Sequence, residues 1–310
     1  MELSLLIVRQ IFSMFLMLLV GVSLVKFRVV EPKAGSSLSR IVLYVVLPCA
    51  IICTFQNAQQ YEMKDELIFV FIVAICCNVL LILLPYPIKR LLKLTAVEQA
   101  SLSYPNCGEI LIPLVVAVLS EEMSVYCCAF MIVQICFLFT HGVGLISGQG
   151  EVKIKAIFLN PNVIAIVLAF VMFFLKIRLP LFLNDTIEGF KGMLLPACML
   201  VIGIAIGNSD FKLILSNKRN YLICFLRLII MPLLVLLLIK VSGVAYVMDE
   251  AKNIILIVFM ATASSSAATV ANMAQSYNND AQNAGIINVM SILFLIITLP
   301  IMVILYQVWI

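Results

Sequence analysis

Charged side chains are scarce in this sequence: only 12% of its 310 residues are Asp, Glu, Lys or Arg, whereas 64% are hydrophobic. A water-soluble domain of this composition could not cover its apolar surface. The composition therefore excludes a soluble globular protein and makes the lipid bilayer the solvent for most of the chain. The net charge of +4 is small and spread over the sequence, so we expect no binding of nucleic acid.

The residues from which active sites are most often built are also rare. There is one histidine, His141, and the ten cysteines are scattered without the Cys/His spacing of a zinc site. No glycine-rich phosphate-binding loop is present, which argues against direct use of ATP. No pair of a nucleophile and a base stands out. We therefore expect no cofactor, no metal ion, no catalytic residue and no enzymatic activity.

Long apolar runs separated by charged or Gly/Pro-rich segments make up nearly the whole sequence. A membrane-spanning helix needs roughly 20 apolar residues. Ten runs meet this requirement, at 3–25, 38–57, 66–88, 97–119, 123–146, 156–176, 187–208, 219–240, 252–275 and 281–308. The first run continues past Val25 without a small-residue cleavage site, so we interpret it as a membrane helix and not as a signal peptide. The sequence predicts an all-α polytopic membrane protein with ten transmembrane helices.

The loops between these spans alternate in charge. One side carries most of the basic residues, including Lys89, Arg90 and Lys93, whereas acidic clusters such as Asp249 and Glu250 fall on the other side. The positive-inside rule then places both termini outside, in a multi-pass protein of the cytoplasmic membrane.

The two halves of the sequence share an order of features. Leu47-Pro48 lies in the second span and Leu195-Pro196 in the seventh, five spans later. Because five is odd, the matching segments cross the membrane in opposite directions. This is typical of a 5+5 inverted repeat, with residues 1–150 as the first five-helix repeat and 151–310 as the second.

The fourth and ninth spans are both interrupted by polar or helix-weakening residues. The first interruption runs over 103–109 and is followed by Pro113, and the second runs over 262–269. Irregular backbone at membrane depth is tolerated only inside protein or beside a wet cavity. We therefore predict broken helices 4 and 9 that cross each other. The residues predicted to break helices are Pro48, Pro105, Pro113 and Pro196.

Two such breaks point to a binding site for a small anion. The N-terminal ends of half-helices offer free N–H groups and a partial positive charge. The predicted substrate-binding residues are Asn106, Cys107, Gly108, Glu109, Ser264, Ser265, Ser266 and Thr269. The alternative interpretation is that the prolines only kink the helices and that the serines only allow close helix packing.

Glu109 and Arg227 are candidate coupling residues. An acidic side chain inside the membrane is costly and should face a cavity or a partner, where it can carry a coupling proton. Arg227 can attract an anion, pair with Glu109, serve as a structural tether or snorkel to the inner interface. The sequence leaves proton and sodium coupling both open.

The sequence resembles the auxin efflux carrier family, in its bacterial malate permease-like branch. The motifs that carry the resemblance are Leu47-Pro48, Asn106-Cys107-Gly108, Ile112-Pro113-Leu114, Asn160-Pro161, Leu195-Pro196, Arg227 with Pro232, and Ala274-Gln275-Ser276-Tyr277. The resemblance implies a ten-helix inverted-repeat carrier with crossing broken helices, alternating access, and a dicarboxylate-like or auxin-like substrate. It also implies a scaffold that often dimerises.

The sequence departs from the family pattern at both breaks. Family members usually carry a Pro-Pro pair and an Asn in the ninth span, where this chain has Ser265-Ser266 and Thr269. They usually carry an apolar residue where this chain has Glu109. These departures leave open how sharply the ninth helix is broken.

We interpret the protein as a secondary transporter that moves a small organic anion, such as a dicarboxylate, by alternating access. A passive anion channel and a non-transporting membrane sensor of the same fold are the alternatives. The expected partners are the anion, the lipid bilayer, a coupling proton or sodium ion, and a second copy of the chain.

Overall fold

The computed structural model describes residues 2–31, 33–60, 63–120, 122–148, 154–209 and 217–310, and within these ranges the chain forms helices and no β-strand. The α-helices in chain order are α1 (Glu2–Lys26), α2 (Ala34–Ile41), α3 (Leu47–Ala58), α4 (Lys64–Leu83), α5 (Pro85–Leu92), α6 (Ala96–Ser103), α7 (Ile112–Val118), α8 (Ser124–Phe137), α9 (Val143–Ser147), α10 (Ile154–Phe158), α11 (Pro161–Phe174), α12 (Leu181–Gly192), α13 (Leu194–Asn208), α14 (Lys218–Phe225), α15 (Met231–Ser242), α16 (Ala251–Thr262), α17 (Ala268–Ser276) and α18 (Ala281–Trp309). A 3₁₀-helix spans Val244–Tyr246, and the π-helical segments are Val42–Val46, Cys107–Leu111, Leu138–Gly142 and Leu226–Ile230.

Among the described residues, seven helical stretches are long and apolar enough to cross a membrane. They are Val8–Lys26, Ala34–Ala58, Lys64–Leu92, Ser124–Ser147, Leu181–Asn208, Lys218–Ser242 and Ala281–Trp309. Each overlaps one of the predicted spans. The predicted fourth, sixth and ninth spans contain the shorter apolar helices Cys107–Val118, Pro161–Phe174 and Ala251–Thr262. The prediction of a helical, multi-pass membrane protein is confirmed.

Three of the π-helical segments lead directly into an α-helix whose second residue is a proline: Pro48, Pro113 or Pro232. A proline ring clashes with the carbonyl four residues earlier and lacks the N–H that would bond to it. In each case that carbonyl belongs to the π-helical segment, where the wider turn makes room for the ring. Helical structure therefore continues through Pro48 and Pro113 in place of the breaks expected there.

By its internal contacts the chain divides into two units. The first contains Met1–Met63, Gly108–Cys128 and Lys155–Ser209, and the second contains Lys64–Cys107, Ala129–Ile154 and Asp210–Ile310. Each unit takes segments from both predicted repeats, so this division does not follow the boundary expected between residues 150 and 151, which stays a prediction.

The first unit is built around a close contact between α1 and α13. A side chain at Gly203 would place its Cβ 2.2 Å from the carbonyl oxygen of Leu18, and one at Gly21 would lie 2.8 Å from that of Leu200. Only glycine lets the two backbones approach this closely. Pro196, the fourth residue named as a helix breaker, lies in the first turn of α13, just after the end of α12 at Gly192.

The second unit packs α6 against α9, α17 and α18. The buried core of this contact contains Val97 and Ala100 of α6, with Tyr104 just beyond its end, packed with Ala267 and Val270. Residues 103–107 of the first predicted break and 262–269 of the second thus lie inside a single unit.

Candidate functional site

The chain leaves the helical path at the first interruption of the sequence. Helix α6 ends at Ser103, Tyr104 adopts an extended conformation (φ −114°, ψ 106°), and helical structure resumes at Cys107. The physical cause is Pro105, because a residue that precedes a proline is disfavoured in the helical region. Pro105 itself has no N–H, so it adds no donor that needs a partner.

The second break forms without a proline. Helix α16 ends at Thr262 and α17 begins at Ala268, so five residues leave the helical path. Hydroxyl side chains favour this because they compete with the helix for backbone groups. The Thr262 hydroxyl donates to the carbonyl of Phe259 at 2.7 Å, and the Ser264 hydroxyl donates to that of Asn106 at 2.8 Å.

The two broken segments pair with each other as a short antiparallel bridge between Pro105 and Ser266. The backbone N–H of Asn106 donates to the carbonyl of Ser265 at 2.8 Å, and that of Ala267 donates to the carbonyl of Tyr104 at 2.9 Å. Each break thus supplies partners for backbone groups that the other has freed. This pair of segments is called the crossover below.

Side chains from other helices satisfy further backbone groups of the crossover. The Gln134 amide donates to the carbonyl of Pro105. The Asn288 amide donates to the carbonyl of Ser266 at 2.6 Å, and the Ser291 hydroxyl accepts the Ser266 N–H at 3.1 Å. A buried backbone group without a partner raises the free energy of the folded state, so these bonds explain how the irregular segments are stabilised inside the protein.

Arg227 holds the C-terminal ends of the two helices that lead into the crossover. Its Nη1 donates to the carbonyl of Leu102, in the last turn of α6, at 2.9 Å. Its Nη2 donates to the carbonyl of Thr262, the last residue of α16, at 3.1 Å. The side chain is fully buried. These contacts are those of a structural tether, one of the roles that the sequence allows for Arg227.

Two half-helices begin at the crossover. One starts with the π-helical segment at Cys107 and continues to Val118, and the other is α17. The residue before α17 is Ala267, whose methyl group cannot cap the first N–H groups of the helix. This helix start therefore keeps its positive end for another partner.

The predicted site residues fall into two groups. Those brought together in the second unit are Asn106, Cys107, Ser264, Ser265, Ser266 and Thr269. All of them are buried except Thr269, which is half-buried. In the described part of the chain, the hydroxyls of Ser265 and Ser266 have no hydrogen-bond partner. These two donors are available to a ligand or to water.

Gly108 and Glu109 follow Cys107 in sequence but belong to the first unit by their contacts. Both are half-buried. The Glu109 carboxylate lies within electrostatic reach of Cys198, which is on α13 two residues after Pro196. Its predicted pairing with Arg227 and its coupling role stay predictions.

A chain of three rings connects the crossover to an exposed side chain within the second unit. The Tyr104 hydroxyl lies 2.7 Å from Nδ1 of His141, and Nε2 of His141 lies 3.1 Å from the Tyr86 hydroxyl. A Cβ at Gly142 would lie 3.0 Å from the Tyr104 ring, so the glycine makes room for it. Tyr104 is a site residue that the sequence did not single out; its position before Pro105 was the only signal.

In the described part of the chain, no group of three or more His, Cys, Asp or Glu side chains is arranged to hold a metal ion. The polar groups at the crossover are amides, hydroxyls and backbone N–H groups. Such groups can bind a small anion by hydrogen bonds.

Comparison with known families gives one assignment. The family model described as "membrane transport protein" matches residues 6–156 and 150–303, which together cover nearly the whole chain. Among proteins of curated function, no significant match was found. The family consists of transporters and not of enzymes. The chain therefore belongs to the membrane transport protein family of the auxin efflux carriers, and it is a multi-pass membrane protein.

Proposed function

We propose that this protein is a secondary transporter that moves a small organic anion, such as a dicarboxylate, across the cytoplasmic membrane by alternating access. The observation that carries the proposal is the crossover, in which two broken helices exchange backbone hydrogen bonds. Such a break is costly inside a membrane and serves no purpose in a simple spanning helix. Within the second unit it leaves the N-terminus of α17, which can bind an anion.

The proposed site uses the positive end of α17 with the polar side chains of the crossover in the same unit. Asn106 and the hydroxyls of Ser265 and Ser266 are the nearest candidates in the second unit, and Thr269 is the second residue of α17. An amide and several hydroxyls can donate to a carboxylate without introducing a negative charge. We also propose the half-buried Glu109 as a coupling group, because an acidic side chain inside a membrane protein can carry a proton.

The finer architecture belongs to the same proposal. We propose ten membrane helices arranged as a 5+5 inverted repeat, with helices 4 and 9 broken and both termini outside. Support comes from the two breaks, one in each half, and from the excess of basic loops on one side. The family match comes in two stretches that meet near residue 150. Proton or sodium coupling and a homodimer complete the proposal.

Reconstitution into proteoliposomes tests the function directly. We expect labelled malate to enter vesicles preloaded with unlabelled malate, to saturate with concentration, and to be competed by malonate or other dicarboxylates. Indole-acetate serves as the auxin-like competitor. Flux that rises linearly with concentration and shows no counterflow would indicate a channel. Malate binding by thermal shift without any flux would indicate a sensor.

The position of the site is tested by an isosteric pair of variants. Thr269→Val removes the hydroxyl at the start of α17, and we expect the KM for malate to rise about three- to tenfold, as for the loss of one hydrogen bond. Thr298→Val is the matched control, because Thr298 is half-buried and its hydroxyl donates within α18 to the carbonyl of Phe294. Equal KM values for the two variants would place the anion elsewhere.

A further inference from the structure

The C-terminal ends of two helices point their carbonyls at one buried place in the second unit. These are the ends of α6 and α16, which lead into the crossover, and the carbonyls are those of Leu102 and Thr262. The last carbonyls of a helix have no partner within it and carry roughly half a negative elementary charge. Two converging helix ends therefore present about one negative charge in a buried region.

The Arg227 guanidinium supplies one positive charge at this place. The Arg227 side chain is fully buried, and its two hydrogen bonds in the described part of the chain go to these two carbonyls. A buried charge is tolerated only where it is compensated. Here the compensation comes from two helix ends, which explains how this arginine can be fully buried although no carboxylate of the described residues pairs with it.

We propose that the C-terminal ends of α6 and α16 form a cation site and that the Arg227 side chain is its permanent occupant. Arg227 is then a positioning residue: it holds the two helix ends together and neutralises them, so that the crossover keeps its shape. The site itself is a property of the fold. Its consequence for transport, that no metal ion is needed at these carbonyls, rests on the proposed function.

The planar shape of the side chain matters as well as its charge. The two Nη atoms donate to two separate carbonyls, which a guanidinium can do as a fork and an ammonium cannot do as well. Arg227→Lys should keep the charge and lose the fork, whereas Arg227→Met keeps much of the volume and loses both. The two variants separate electrostatic compensation from geometry.

Chemical rescue provides the decisive experiment. Arg227→Ala leaves the proposed cation site empty, and we expect millimolar guanidinium to raise the melting temperature of the purified variant by several degrees. The same guanidinium should leave the wild type unchanged. Arg219→Ala is the matched control, since Arg219 also lies on the Lys218–Ser242 span but pairs with Glu98 and is 42% exposed. A melting temperature of Arg227→Ala that guanidinium does not raise would overturn the proposal.

A second comparison covers the case in which Arg227→Ala does not fold. Arg227→Lys should then be more stable than Arg227→Met, because only the lysine keeps the positive charge. Equal stability of the two would mean that charge at this position is irrelevant, which contradicts the proposal.

Malate counterflow in sodium-free vesicles tests the consequence for transport. We expect the sodium dependence of the rate, whether the wild type shows one or not, to be the same in Arg227→Lys. A sodium dependence that differs between the two proteins would overturn this consequence. Since the melting experiments need no substrate, a protein that transports nothing would refute the proposed function and leave the cation site to be judged separately.

Discussion

Replacing Ser291 by alanine removes the hydroxyl that accepts the backbone N–H of Ser266 at 3.1 Å. Ser266 is fully buried, so water cannot take over this bond. A buried donor left without a partner costs about 1–3 kcal/mol. The Ser291 hydroxyl also donates to the carbonyl of Asn288, but that carbonyl lies within α18 and keeps its helical environment. We therefore expect Ser291→Ala to destabilise the protein by about 1–3 kcal/mol.

The control for this prediction is Ser103→Ala. Ser103 is equally buried, and its hydroxyl donates to the carbonyl of Gln99 one turn earlier in the same helix. Such a bond back to the preceding turn adds little to helix stability. The two variants thus remove the same atom from equally buried positions, and only Ser291→Ala leaves a crossover N–H without its partner.

Thermal unfolding in detergent measures the difference. One kcal/mol shifts the melting temperature of a chain of a few hundred residues by about 2–4 °C. Hydrogen exchange adds a local readout, because the N–H of Ser266 should exchange faster in Ser291→Ala than in the wild type. In Ser291→Thr, which keeps the hydroxyl, this N–H should exchange at the wild-type rate. If Ser291→Ala and Ser103→Ala have the same melting temperature and the Ser266 N–H exchanges at its wild-type rate, the bond from Ser266 to Ser291 does not stabilise the crossover.

Two further predictions concern regions away from the crossover bridge. Gly203→Ala should destabilise the protein by at least about 3 kcal/mol, because its Cβ would lie 2.2 Å from the backbone oxygen of Leu18. Gly189→Ala has open space around the new Cβ and should stabilise its helix by about 0.5–1 kcal/mol. Thermal unfolding of both variants measures the difference. Glu98→Gln removes the negative charge that pairs with Arg219 and should cost about 1 kcal/mol, since Arg219 is 42% exposed and water can replace its partner. The loss should shrink in high salt, and a salt-independent difference would mean that the charge is not the cause.

The sequence predicts the positions of the long helices well, because the bilayer imposes their length and composition. Lipid requires about 20 consecutive apolar residues for each crossing, and this requirement can be read without any knowledge of tertiary contacts. The first break is equally local, since Pro105 disfavours helix at Tyr104 whatever surrounds it. Pro48 and Pro113 show the limit of this argument, because a π-helical turn accommodates each of them and the helix continues.

The partners of the crossover could not be read from the sequence. The sequence allows Arg227 to attract the anion, pair with Glu109, act as a tether or snorkel, but its acceptors are backbone carbonyls, which no sequence pattern marks. Nothing in the sequence around Gln134 indicates that its amide donates to the carbonyl of Pro105. The acceptors in both cases depend on which residues the fold brings together, so they appear only in three dimensions.

The two breaks solve the same problem in different ways, and the difference can be tested. The first break contains Pro105, which has no N–H to satisfy, whereas the second keeps the N–H of Ser266 and needs the hydroxyl of Ser291 to accept it. Ser266→Pro would remove that N–H, so the Ser291 hydroxyl would no longer be needed as its acceptor.

We therefore expect Ser291→Ala to cost about 1–3 kcal/mol in the wild type and close to nothing in the Ser266→Pro background. The comparison is a double-mutant cycle read by thermal unfolding, so it stays informative even if the proline alone changes stability. Equal costs of Ser291→Ala in both backgrounds would show that the hydroxyl stabilises the last helix and not the break. A large difference would mean that the Ser291 hydroxyl is needed because Ser266 has a buried N–H. A proline at this position would have no N–H and would need no such acceptor.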